Sequence, residues 1–73
     1  MATILMRRIG QSIRLCRKRA GYTQEHLAGL IGMHRTYYSA IERGEKNLQI
    51  DTLQRICAGL GVPVWEVLRD TDD

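Results

Sequence analysis

The feature that most constrains this chain is a set of apolar residues recurring every three or four positions and cut repeatedly by glycine. Between residues 4 and 20, Leu5, Ile9, Ile13, Cys16 and Ala20 follow at steps of four, four, three and four, one face of a first helix. Gly21 stands where a left-handed cap would close it, and Gly10 interrupts it at a propensity cost of about 1 kcal/mol relative to alanine. Thr23 offers a hydroxyl to the free amides of a second helix, 24–31, with Gln24 and Glu25 in its first turn and Leu27, Ala28, Leu30 and Ile31 on its buried side. The third position of that helix is His26, so the reciprocal capping box is missing. Gly32 stops it, and a third helix over 34–43 turns Tyr38 and Ile41 inward and closes at Gly44. A fourth stripe, Ile50, Leu53, Ile56, Cys57 and Leu60, predicts a helix over 50–60 ending at Gly61. Pro63 suits the first turn of a last helix over 63–69, with Val64, Val67 and Leu68 as its apolar side. Strand-like alternation is absent, and residues 70–73 are expected to fray. The fold class is therefore all-α, a compact five-helix bundle.

At 73 residues the chain has room for one domain, expected to span residues 1–73, with a thin core. Without a disulfide or metal framework, stability must lean on helix packing or on a second subunit. Cys16 and Cys57 each fall on an apolar helical stripe, where a free thiol packs as a small hydrophobe. A disulfide between them is the alternative, disfavoured because no secretory signal precedes them. The opening MATILMRRIG is too short in apolar residues for a signal peptide, and there is no run of about 18 apolar residues for a membrane span. A soluble, cytoplasmic protein without a membrane partner is expected.

The net charge of +3 says little until it is placed. Up to Leu48 the basic residues are Arg7, Arg8, Arg14, Arg17, Lys18, Arg19, Arg35, Arg43 and Lys46, against Glu25, Glu42 and Glu45. Beyond it stand Arg55 and Arg69 against Asp51, Glu66, Asp70, Asp72 and Asp73. A phosphate-facing surface should thus come from the first two thirds, with the acidic end turned away. The second and third helices lie inside that basic part. Joined by a turn of Gly32, Met33 and His34, they make a helix-turn-helix unit over residues 23–43.

On the third helix Arg35, Thr36, Ser39, Ala40 and Arg43 fall on one face, opposite Tyr38 and Ile41. Arginine can pair bidentately with guanine, threonine can give a hydroxyl or methyl contact, and alanine can meet a thymine methyl. Solvated residues on a surface helix would be the ordinary reading of such a face. Its place on the second helix of a tight pair, the geometry that enters a major groove, points instead to base reading. Tyr37, at the edge, could reach a sugar, phosphate or base, or cover the turn.

GYTQEHLAGLIGMHRTYYSAIERG and LQIDTLQRICAGLGVPVWEVL resemble the lambda-repressor and Cro type of helix-turn-helix domain, also called XRE-like, over nearly the whole chain. TQE, LA, IG and IERG stand at that family's mutual spacings. HRTYYSAIERGEKNL is most similar to the controller proteins of restriction-modification operons. The resemblance implies a homodimer that binds a pseudo-palindromic operator in double-stranded DNA and represses or activates transcription, with RNA polymerase as a further partner. It implies that Gln24 contacts a phosphate and braces the reading helix. The partial positive charge of a helix N-terminus favours an anion at the same place. Arg35 and Thr36 then match base-contact positions, and Ser39 and Ala40 positions facing the groove. Arg43 and Asn47 match backbone-contact positions, and His34 and Lys46 join that backbone set. Some members carry a longer polar reader at the equivalent of Ala40, so specificity should rest more on Arg35 and Thr36. Arg17 and Glu42 match a structural ion pair linking the first helix to the end of the third.

Trp65 can finish the core or sit between subunits. With Val62, Val64 and Leu68 nearby, a homodimer interface around the turn before the last helix is favoured. His26 and His34 have no Cys or carboxylate cluster at metal-ligand spacing, and no Gly-rich phosphate loop or Ser, His, Asp constellation appears. Neither metal, cofactor nor enzymatic activity is expected. The rival reading is a protein-interaction module such as an antitoxin, touching DNA secondarily. It is disfavoured because the chain ends almost as soon as the fold is complete. With no ligand-binding domain, regulation is expected to work through concentration and dimerisation.

Overall fold

The computed structural model describes residues 3–69, which form α1 (Ile4–Arg19), α2 (Gln24–Leu30), α3 (Arg35–Glu42), α4 (Ile50–Leu60) and α5 (Val64–Arg69). No strand occurs among the described residues, and the expectation for 70–73 lies outside them. The five helices stand where the apolar periodicity and glycines placed them, with ends that differ by a residue. Thr23 caps α2 as expected, its Oγ1 accepting from the His26 amide at 3.0 Å. Thr3 caps α1 in the same way, accepting from the Met6 amide at 3.0 Å. Arg17, Lys18 and Arg19 crowd the last turn of α1, where cations offset the exposed carbonyls.

The helix-turn-helix corner is built at Gly32, whose φ of +66° a residue with a side chain adopts at a cost. Beside it the Met33 amide donates to the Ala28 carbonyl at 2.9 Å. A second clamp comes from α4. Arg55 Nη2 donates to the Ile31 carbonyl at 2.5 Å and lies 3.4 Å from that of Gly32, satisfying the open end of α2.

Ile13, Leu27, Tyr38, Ile41, Ile56 and Val67 make the centre of the core, all at 2% exposure or less and drawn from all five helices. Full burial of each such side chain contributes roughly 1.5–3 kcal/mol. The short α5 is tied down by Val67 and by Ser12 of α1, whose hydroxyl donates to the Val67 carbonyl at 2.7 Å.

Some expected core residues are not in the core. Leu5 lies a turn before the buried part of α1 and is 56% exposed; Ala20, at the other end, is exposed too. Leu30 ends α2 and Ile50 begins α4, and both stand out from the bundle. Between its ends α1 turns Gly10, Ser12, Ile13, Cys16 and Arg17 inward, so the buried stripe includes two polar side chains that periodicity of apolar residues does not register. Gly10 is part of the packing: a Cβ there would lie 2.4 Å from the Glu42 carbonyl oxygen and 2.6 Å from that of Ile41. The glycine lets the backbone of α1 rest on the C-terminal turn of α3, and its propensity cost is set against that contact. Cys16 and Cys57 are buried and form no disulfide. No helix among the described residues is long and apolar enough to cross a membrane.

Candidate nucleic-acid interface

Helix α3 divides cleanly. Tyr38, Ile41 and Glu42 are buried, whereas Arg35, Thr36 and Arg43 are exposed and Ser39 is half-buried. Arg35, Thr36, Ser39 and Arg43 line one shallow cleft. Ala40 does not join them: it is 5% exposed. The chain leaving α3 folds back over the last turn, where the Glu45 amide donates to the Ala40 carbonyl at 2.9 Å. The groove-facing position expected for Ala40 is therefore withdrawn. Ser39 is held in place, its hydroxyl accepting from Arg43 Nη1 at 2.7 Å, while Arg43 Nε faces Glu45 Oε2 at 3.1 Å in an exposed pair that adds little stability.

The other expected contact residues surround this face. Gln24 and Arg35 line a common open cleft between α2 and α3, together with Tyr22 and Thr23. His34 precedes α3 and is exposed, its side chain making no capping bond. Lys46 and Asn47 are exposed in the segment leading to α4. Tyr37 sits apart from the cleft of Arg35, bordering a recess with Met33, His34, Thr52 and Arg55. His26 meets the Tyr22 ring edge-on at 4.9 Å.

What aims α3 is one carboxylate at its end. Arg17 Nε donates to Glu42 Oε2 at 2.7 Å and Nη2 to Oε1 at 3.1 Å, the fork geometry of a bidentate pair. Gln24 Nε2 donates to Oε1 at 2.9 Å, and the Tyr38 hydroxyl donates to Oε2. Arg17 Nη1 also reaches the Tyr22 carbonyl at 2.8 Å. The side chains of Arg17 and Glu42 are 9% and 2% exposed, so this is a shielded bridge. Burial alone would push the Glu42 carboxyl up; the hydrogen bonds from Arg17, Tyr38 and Gln24 outweigh it and hold the group below the usual carboxylate range. Glu42's hydrogen bond raises Arg17 in turn. Burial, and then Glu42, push the Tyr38 phenol up. The bracing of α3 by Gln24 is thus visible in its hydrogen bond to Glu42. Tyr38's share in the hub and Arg55's grip on the corner are both absent from the sequence reading. Tyr38, four residues before Glu42, carried a usable signal; Arg55 carried none.

Trp65 is 61% exposed with the Arg69 guanidinium 5.6 Å from its ring centroid, so it does not finish the core. Leu68 is 38% exposed, while Val62 and Val64 pack partly against the core.

A short helix held from behind by a buried hub, with a polar and cationic face turned outward from a tight helical pair, defines a helix-turn-helix protein, the architecture of DNA-binding transcriptional regulators. A helix-turn-helix family profile matches residues 13–64. The chain is 38% identical over 66 residues to the control protein C.MunI of a Mycoplasma species, covering 89% of each. It is 40% identical over 60 residues to the control protein C.BamHI of Bacillus amyloliquefaciens, covering 81% of this chain and 74% of that one. The restriction-modification controller protein C.AhdI from Aeromonas hydrophila superposes with a TM-score of 0.82 at 31% identity, covering 85% of this chain and 94% of the other. The chain belongs to the lambda-repressor and Cro type, XRE-like helix-turn-helix family.

Proposed function

We propose that residues 1–73 act as one operator-binding domain that regulates a restriction-modification operon as a homodimer on a pseudo-palindromic site. Arg35 and Thr36 read base edges, Ser39 supports them in the groove, and Gln24, His34, Arg43, Lys46 and Asn47 hold the sugar-phosphate backbone. Tyr37 reaches the duplex from the edge of the corner. Val62, Val64, Trp65 and Leu68 form the contact between subunits, and the protein works in the cytoplasm beside RNA polymerase. The observation that carries this reading is the exposure of Arg35 and Thr36 on α3, the same helix whose Tyr38 and Ile41 are buried in the core. Relatives named as control proteins support the choice of operon.

Selection of bound sites from a random duplex library tests it. A two-fold symmetric consensus is expected, and Arg35→Ala should relax base preference at one position per half-site, by about 1–3 kcal/mol of discrimination. Equal binding to all duplexes at physiological ionic strength would end the proposal.

A further inference from the structure

Helix α1 carries Arg7, Arg8, Arg14, Arg17, Lys18 and Arg19 and no acidic residue. Arg17 is consumed by Glu42. Arg7, Gln11, Arg14 and Lys18 recur at steps of four, three and four, so they form a second stripe along the helix, on a flank of the buried one, and all four are exposed. From Arg7 to Lys18 the stripe runs roughly 16 Å at the helical rise. Among the described residues Arg7, Arg14 and Lys18 enter no ion pair. The carboxylates that face the stripe are already engaged, Glu42 by Arg17 and Glu45 by Arg43. Arg14 and Lys18 are like charges at i and i+4, an arrangement that disfavours the free helix and that a polyanion relieves.

The location decides what that polyanion is. Arg7, Gln11 and Arg14 line a cleft with Arg43, the residue that also closes the cleft of Arg35, Thr36 and Ser39 on the reading helix. The two surfaces meet at Arg43. Their join is tight because Gly10 rests on the end of α3, and a Cβ at Gly44 would lie 2.7 Å from the Arg7 Cα. A duplex seated on α3 therefore continues onto α1, where it presents one negative charge per about 1.7 Å of its axis.

We propose that the Arg7, Gln11, Arg14 and Lys18 stripe is a second DNA-backbone track that grips phosphates outside the bases read by α3, adding affinity without sequence preference. The inference rests on the operator-binding reading and extends the same surface. Cations on phosphates position the protein and carry no base information.

The test compares the full chain with the triple variant Arg7→Gln, Arg14→Gln, Lys18→Gln on the selected site, held in duplexes with long or trimmed flanks, over a range of salt. Each lost phosphate contact makes the slope of log K against log salt shallower by about 0.9. The triple variant should therefore lose about two to three units of slope for each protomer bound, roughly five for the homodimer on its operator, and affinity at 0.1 M salt should fall on the order of 100-fold per protomer. The deficit should vanish on trimmed duplexes, the selected consensus should stay the same, and a variant with lysine at positions 7 and 14 should restore the slope. A thermal melt no lower than that of the parent shows that the triple variant is folded. An unchanged slope overturns the track. So does unchanged DNA binding with loss of transcriptional activity in a purified system, which would make the stripe a dock for an acidic protein. If the parent itself selects no consensus, the operator reading fails, and the slope difference still reports on the stripe.

Discussion

Glu42→Gln keeps the shape of the buried side chain and removes its charge and one of its two acceptor oxygens. In the native protein those oxygens accept from Arg17 Nε at 2.7 Å, Arg17 Nη2 at 3.1 Å, Gln24 Nε2 at 2.9 Å and the Tyr38 hydroxyl. A glutamine amide can serve donors on one side only and turns an NH2 group toward those on the other. Either choice leaves a buried donor unmatched and a 9% exposed guanidinium without a counter-charge. Removing one partner of a buried pair costs about 3–5 kcal/mol, and the retained half of the network puts this variant near 3 kcal/mol. A chain of 73 residues has a total stability of roughly 4–11 kcal/mol, so the loss is a large part of the whole. In urea, with a slope of about 1 kcal/mol/M for so small a domain, the midpoint should fall by about 3 M in a titration followed by far-ultraviolet dichroism. The triple replacement Arg17→Met, Tyr38→Phe, Glu42→Leu removes every fully buried polar partner together and should recover most of the loss, with Gln24 free to turn to water. A midpoint for Glu42→Gln within about 0.5 M of the parent would refute the hub as the support of α3.

Because Glu42 is held below its ordinary value in the folded state, its contribution is complete above the unfolded carboxyl pKa of about 4.3 and is lost as pH falls through the lower folded value. Acid titration of stability should show this loss in the parent and a flatter curve in Glu42→Gln. Gly10→Ala should lower the melting temperature by several degrees, against the propensity gain of about 1 kcal/mol, because the new Cβ meets the Glu42 carbonyl at 2.4 Å. Gly29→Ala, with open space around it in α2, should raise the melting temperature instead, and equal shifts for the two would contradict the close approach. The Cys57 thiol is pushed up to about 11, by burial first and then by Cys16 and Glu66, so a thiol-disulfide reagent at pH 8 should leave it unmodified until denaturant is added.

The five helices were legible because each buries apolar residues at helical spacing and ends near a glycine or proline, two local signals that agree. Burial at the helix ends was not. Leu5, Leu30 and Ile50 fit their stripes, and whether a stripe's last member is covered depends on how far the neighbouring helix extends. Gly10 was misread for a related reason: propensity is a property of one helix, and the close approach that favours glycine there belongs to two. The reading face was legible as a set of side-chain types, and Arg35, Thr36, Ser39 and Arg43 do meet in one cleft. Ala40 is buried, and angular position on a helix does not say which residues at the edge of a face the rest of the bundle covers. The Arg17 and Glu42 pair came from family resemblance; of the two further donors that complete it, Tyr38 stands one turn before Glu42 on the same helix, and Gln24 is brought in by tertiary geometry.

The eight residues of α3 span only about 12 Å and would not hold a helical form alone. Its direction is fixed near its C-terminal end, by the Glu42 carboxylate and by the backbone of Gly10, while Arg35 and Thr36 project from its N-terminal end. Helix α3 is thus held at its C-terminal end, while the residues proposed to read bases stand at the other. On the operator-binding proposal Arg35 and Thr36 can vary with the bases they meet, because neither takes part in the hub around Glu42. Those at the held end cannot vary singly, since each donor around Glu42 is buried or braced by another.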